Sequence, residues 1–317
     1  MSRVHDALRR AEQSGFTLQE PVSPSQPAPH SGSPSGRDLL PPGAGHVNGS
    51  SYSSAHLSNG VNGAMINGSS STAVRVTLHP SMLKEVGVIP FLPAPESHLL
   101  DLNNSHETPA EEFRTLRTRM NHLQTIQPLH TIVVTSPSPA EGKTFSAVNL
   151  ALAESHLAES SVLLGDFDLR RPIIHNLFQV DRAPGISDYL TGQCSFAQAL
   201  RKIDGMNLYL LPAGSPVKNP LELLNTRQAK ALFEELPRCF NWAIFDTPPL
   251  LFSADANLLA TLADGTILVV KIGSTTFDNV TRAIQSLCEN NVLGIVANGA
   301  RASELYSKYT YYYSKAE

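Results

Sequence analysis

Residues 131–154 read TIVVTSPSPAEGKTFSAVNLALAE, and this stretch decides the fold. Thr131–Thr135 is a short β-rich run without polar alternation, as expected of a strand covered on both faces. Helical spacing follows over Lys143–Leu157. Between them, residues 136–142 form a tight loop that delivers Gly142-Lys143-Thr144 to the start of the helix. That order is the setting of a phosphate-binding loop. Amides at the helix N-terminus face a phosphate, and the helix dipole favours its charge. Lys143 is placed to bridge β- and γ-phosphates, and Thr144 to set its hydroxyl on Mg²⁺. Gly142 lets the backbone approach without a Cβ. The predicted nucleotide contacts here are Ala140, Glu141, Gly142, Lys143, Thr144 and Phe145. Pro137 stands where the usual first glycine of such a loop would be. Taken alone, GKT is equally a helix that happens to follow a glycine.

Two further segments decide between those readings. In VLLGDFDLRRP, residues 162–172, an apolar run ends in Asp166 and Asp168. Both carboxylates are expected to project into a nucleotide crevice, where they can hold Mg²⁺ or accept a proton from an incoming hydroxyl. By itself the segment is as well read as an exposed acidic turn. In WAIFDTPP, residues 242–249, an apolar strand ends in Asp246, the pattern of a carboxylate in a magnesium shell. Three such motifs at three strand ends predict nucleotide binding, with ATP and Mg²⁺ as ligands.

The same rhythm extends along the chain. Strands are predicted at Val86–Phe91, Thr131–Thr135, Val162–Gly165, Leu208–Leu211, Trp242–Phe245, Thr266–Lys271 and Gly294–Ala297. Helices are predicted at Ala110–Gln124, Lys143–Leu157, Pro220–Leu236, Ala254–Ala263 and Phe277–Asn290. Alternation of this kind makes an α/β fold with a mainly parallel, doubly wound sheet and right-handed crossovers. Ligands on such sheets lie beyond the carboxyl ends of the strands.

Outside that core the composition changes. Residues 15–72 are dominated by Ser, Gly, Pro and Asn, with Asn-Gly pairs at 48–49, 59–60, 62–63 and 67–68. Apolar residues there are too few to offset backbone ordering, so a disordered linker is expected. Residues 1–14 carry Val4, Ala7, Leu8 and Ala11 on one face of a short amphipathic helix. Residues 73–300 form the folded domain. Residues 301–317 form a tail that holds five of the eight tyrosines: Tyr306, Tyr309, Tyr311, Tyr312 and Tyr313.

A net charge of −4 and the lack of any dense Lys/Arg block argue against a nucleic-acid partner. Three dispersed cysteines without a CxxC suit reduced thiols in a cytoplasmic protein. No apolar run approaches the ~20 residues of a membrane span.

SPSPAEGKTF, LLGDFDLRRP and AIFDTPP, together with the C-terminal tyrosines, resemble the bacterial tyrosine autokinases of polysaccharide export systems. The resemblance runs from about Glu111 to the end. It implies the P-loop nucleotidase fold and an ATP-dependent tyrosine kinase that phosphorylates the tail between subunits. By this resemblance Lys143, Asp166 and Asp168 are catalytic, Asp166 being the base toward a tyrosine hydroxyl. Thr144, Asp168 and Asp246 hold the metal, and Asn298 lies beside the adenine. Glu111, Arg114 and Arg117 match the family's oligomerisation motif, which implies a homo-oligomeric ring. Other implied partners are a transmembrane polysaccharide co-polymerase that activates the kinase and recruits it to the inner face of the membrane, and a tyrosine phosphatase. Ala140 departs from a glycine common in the family loop, and Gly165 from an apolar residue.

Two other readings remain. A partitioning-type ATPase would usually carry a lysine five residues before the loop lysine, where this chain has Ser138. A nucleotide-dependent, non-catalytic regulator of a membrane exporter is the other.

Overall fold

A computed structural model describes residues 76–93, 99, 110–158, 160–287 and 292–300. The predicted N-terminal helix, the linker and the tyrosine tail lie outside the described residues. The chain separates into Met1–Gly68 and Ser69–Glu317, and all described residues belong to the second unit.

Eight strands form one sheet: β1 (Gly87–Ile89), β2 (Thr131–Thr135), β3 (Val162–Asp166), β4 (Arg201–Ile203), β5 (Leu208–Leu211), β6 (Trp242–Asp246), β7 (Gly265–Lys271) and β8 (Val292–Asn298). Their spatial order is β1-β4-β5-β3-β6-β2-β7-β8. Every neighbouring pair is parallel except β4–β5. The helices are α1 (Ala110–Ile126), α2 (Lys143–Ser155), α3 (Ile174–Leu177), α4 (Ile186–Leu190), α5 (Phe196–Ala199), α6 (Pro220–Leu224), α7 (Arg227–Glu235), α8 (Ala254–Leu262) and α9 (Phe277–Ser286).

The central strands are buried throughout because each feeds two cores. Ile132, Val134, Val162, Leu164, Trp242 and Ile244 face a cluster built on α1 and α2. Val133, Leu163, Ala243 and Phe245 alternate with them and face the opposite cluster, which holds Ala229, Leu232 and Phe233 of α7. This period of two, with both faces apolar, removes the polar alternation from the sequence. On α1, Phe113 and Met120 are buried, with Leu116 and Leu123 packed beside them, as the helical spacing predicts.

Three departures have local causes. The single helix predicted over Pro220–Leu236 is two, because Thr226 Oγ1 accepts from the Ala229 amide at 3.2 Å and starts a new helix. Strand β4 escapes the sequence reading because Arg201 and Lys202 interrupt its apolar character. Helices α3, α4 and α5 have only four or five residues, too few to show a 3.6-residue period.

Candidate active site

Three adjacent strands, β3, β6 and β2, end side by side and deliver the three motifs to one edge of the sheet. Asp166 pairs directly with Asp246 across β3–β6, and Asp246 with Val134 across β6–β2. Thr135 Oγ1 donates to the Pro248 carbonyl at 2.9 Å, and Thr247 Oγ1 to the Val134 carbonyl at 3.1 Å, tying the β6 exit to the β2 exit.

The loop after β2 wraps ahead of α2 with two left-handed residues, Ala140 (φ 62°) and Gly142 (φ 95°). A Cβ on Gly142 would stand 1.8 Å from Asn298 Nδ2, so glycine is needed there on steric as well as torsional grounds. Asn298, at the end of β8, donates from Nδ2 to the Glu141 carbonyl at 3.0 Å and accepts from the Gly299 amide at 2.8 Å. The Glu141 side chain is buried and braces the loop from beneath. Its carboxylate accepts from the Ser138 amide at 2.9 Å and from the Thr275 hydroxyl at 2.6 Å.

Lys143 Nζ donates to Asp168 at 3.1 Å and to Asp246 at 3.3 Å. Thr144 Oγ1 donates to Asp246 Oδ2 at 2.6 Å. Four predicted residues, Lys143, Thr144, Asp168 and Asp246, therefore converge. Asp166 lies beneath them, fully buried. Its Oδ2 accepts from the Ile173 and Ile174 amides at 3.1 and 3.0 Å, where it caps α3, and its Oδ1 has no partner. The two carboxylates expected to share the crevice thus divide: Asp168 lines it and Asp166 underlies it.

Charge follows burial. Burial pushes the Asp166 carboxyl up to about 8, with Asp246 and Asp168 adding to the rise. Burial likewise raises Asp246, against the pull of Lys143 and the Thr144 hydroxyl. Burial draws the Lys143 ammonium down, but Asp246 and Asp168 outweigh it and hold its pKa above the ordinary value.

Asp168 and Asp246 share the Lys143 ammonium. Asp246, Asp168 and the Thr144 hydroxyl are hard oxygen donors of the kind Mg²⁺ takes. Among the described residues no three His, Cys, Asp or Glu side chains form a metal cage.

Above the converging residues lies a pocket of about 680 Å³. One wall is the loop and start of α2, with Ala140, Gly142, Lys143, Thr144 and Phe145; the other carries Asp168, Arg171, Ile173, Pro248, Pro249 and Phe252. Phe145 also packs edge-on against Phe113 of α1, with ring centroids 5.8 Å apart. Glu141 and Asn298, both predicted to touch nucleotide, lie outside this lining and bond the loop, Glu141 through its carboxylate and Asn298 through the Glu141 carbonyl.

On α1, Glu111 pairs with Arg114, and Arg117 Nη1 donates to the Ala153 carbonyl of α2 at 2.9 Å. The five predicted phosphoacceptor tyrosines lie outside the described residues.

Sequence reasoning missed the Arg170–Asp255 pair, in which Nε and Nη2 meet the two carboxylate oxygens at 2.7 and 3.2 Å and tie the Asp168 loop to the start of α8. It missed the Glu141 brace, whose Thr275 partner is 134 residues away. Gly165 stands where the resemblance implies an apolar residue. A Cβ there would meet the rings of Phe167 and Phe245 at 2.9 Å, so the missing side chain is what lets those rings pack, with centroids 4.7 Å apart.

The chain is 35% identical over 208 residues to the tyrosine-protein kinase YwqD of Bacillus subtilis, covering 65% of this chain and 87% of that one. It is 31% identical over 179 residues to the tyrosine-protein kinase ptk of Acinetobacter johnsonii, covering 56% of this chain but only 24% of that longer protein. The solved kinase domain of the Escherichia coli tyrosine kinase ETK superposes with a TM-score of 0.58 at 27% identity, over 71% of this chain and 95% of that domain. No family model matches.

Proposed function

The chain belongs to the bacterial tyrosine-protein kinases, and on that premise we propose that it uses ATP and Mg²⁺ to phosphorylate the tyrosines of its own C-terminal segment. The observation that carries this is the convergence of Lys143, Thr144, Asp168 and Asp246 at the ends of three adjacent strands, beneath a loop with two left-handed residues.

The loop amides from Ala140 to Thr144 and the α2 dipole receive the phosphates of ATP, and Lys143 swings from Asp168 and Asp246 to the β- and γ-phosphates. Thr144, Asp246 and Asp168 would hold Mg²⁺, which would supply charge neutralisation to the phosphoryl group. The phenol oxygen of an acceptor tyrosine attacks the γ-phosphorus as the bond to the ADP oxygen breaks. Asp166 is the proposed base for the phenol proton; its Oδ1 has no partner among the described residues, and it acts from beneath the crevice in its ionised form, the minor one near neutral pH because burial raises its pKa to about 8.

Acceptors are Tyr306, Tyr309, Tyr311, Tyr312 and Tyr313, phosphorylated between subunits of a homo-oligomer assembled through Glu111, Arg114 and Arg117. The protein acts in the cytoplasm at the inner face of the membrane. A transmembrane co-polymerase activates it, a tyrosine phosphatase reverses it, and exopolysaccharide or capsule export is the process regulated.

The full chain incubated with ATP, Mg²⁺ and the cytoplasmic end of its co-polymerase becomes phosphotyrosine-positive on immunoblot. Lys143→Met lowers the signal at least ~100-fold, the range seen when a phosphoryl-transfer charge clamp is lost. An unlabelled wild-type chain under these conditions refutes the kinase reading.

A further inference from the structure

Besides the phosphate loop, the pocket is lined by Asp168, Arg170 and Arg171 and by an apolar group, Ile173, Pro248, Pro249 and Phe252. Ile173 is 43% exposed and Phe252 is 69% exposed, although large apolar side chains are ordinarily covered.

Phe252 is not exposed because its segment is loose. The turn after β6 is pinned to the base of the phosphate loop: the Leu250 amide donates to the Ser136 carbonyl at 2.9 Å and the Leu251 amide to the Pro137 carbonyl at 3.3 Å. The Phe252 amide closes the turn on the Pro249 carbonyl at 3.2 Å, and Ser253 then caps α8. Leu250 and Leu251 turn into the cluster under α8 and α9, which leaves Phe252 facing out.

Resting on the kinase reading above, we propose that Phe252, with Ile173 and Pro249, is the platform on which the ring of an acceptor tyrosine from residues 301–317 lies, so that its hydroxyl points past Asp168 toward the phosphoryl group. The chemistry fits an aromatic occupant. Flat apolar side chains bind a ring by offset or edge contact while its hydroxyl stays on the polar side.

Chain length fits as well. Strand β8 runs parallel to β7, β2 and β6, so it ends on the same sheet edge as the pocket. Beyond Ala300, Tyr306 reaches at most ~20 Å and Tyr313 at most ~45 Å, which is long enough for the segment to leave its own subunit and enter a neighbour's pocket. The segment 305–317, LYSKYTYYYSKAE, presents a ring at five of its thirteen positions, so several can be offered in turn.

The test uses the full chain with a fluorescein-labelled peptide of residues 305–317, read by anisotropy with a non-hydrolysable ATP analogue and by phosphate transfer with ATP. Phe252→Ala weakens peptide binding and raises the peptide KM about tenfold, the change expected for one lost aromatic contact. Phe252→Tyr restores both to within about twofold. Affinity for a fluorescent ATP analogue does not move. Unchanged peptide binding in Phe252→Ala, or a parallel loss of nucleotide affinity, overturns the platform, as does a wild-type chain that binds no peptide. A wild type that binds peptide through Phe252 but transfers no phosphate sinks the kinase reading and leaves the platform standing.

Discussion

Gly142 is held by two constraints at once, a φ of 95° and the Asn298 carboxamide lying where its Cβ would be. Gly142→Ala should therefore abolish nucleotide binding, measured by titration calorimetry. Adding Asn298→Ala should recover part of it, because only the torsional penalty of about 1–2 kcal/mol then remains. Two substitutions that each harm alone and partly cancel together would show coupling at this site. Ala140 is the opposite case, an L-residue at φ 62°. Ala140→Gly relieves left-handed strain of about 1–2 kcal/mol but adds about 0.5–1 kcal/mol of unfolded-chain entropy. The expected outcome is a Tm equal to or a few degrees above wild type. At this scale the sequence revealed the residues that converge beneath the loop, Lys143, Thr144, Asp168 and Asp246, since each lies in a local motif. It hid Glu141 and Gly165, whose reasons are a hydroxyl 134 residues away and two phenylalanine rings.

Helices α1 and α2 meet through a polar seam that no local pattern announces. Glu154 is buried; one oxygen accepts from Asn121 at 3.0 Å and the other has no partner, while Asn121 also accepts from the Trp242 indole at 3.1 Å. Burial holds the Glu154 carboxyl up at about 7 against an ordinary 4.5, with Asn121 and Arg117 opposing the rise. The folded chain thus binds this proton more tightly than the unfolded chain. The stability it gives is complete below pH about 4.5 and is lost as pH rises through about 7. Thermal unfolding across pH should show Glu154→Gln losing that decline and exceeding wild type above pH 7. Arg117→Ala, which removes the bond to the Ala153 carbonyl, should cost about 1–2 kcal/mol in denaturant titration. A change of assembly state in that variant must be read beside its unfolding. The long elements were legible because their apolar periods were long. The four- and five-residue helices and the charged strand β4 were not, because the helices are too short to show an apolar period and Arg201 and Lys202 break the strand's apolar run.

The alternation of strands and helices was enough to imply a parallel sheet with its site at the carboxyl ends, but not the order in which strands lie. That order puts β3, β6 and β2 together and leaves β8 at an edge. Removing residues 301–317 deletes all five proposed acceptor tyrosines, so the phosphotyrosine signal of the truncated chain should disappear on immunoblot. The last residue of that edge strand is Asn298, whose side chain holds the Glu141 carbonyl and fills the space above Gly142. The tyrosine segment departs two residues later, after Ala300. The chain that carries the tyrosines thus continues directly from the residue whose carboxamide shapes the loop ahead of α2, so the order of that loop and the point where the tail leaves the sheet are set by one side chain.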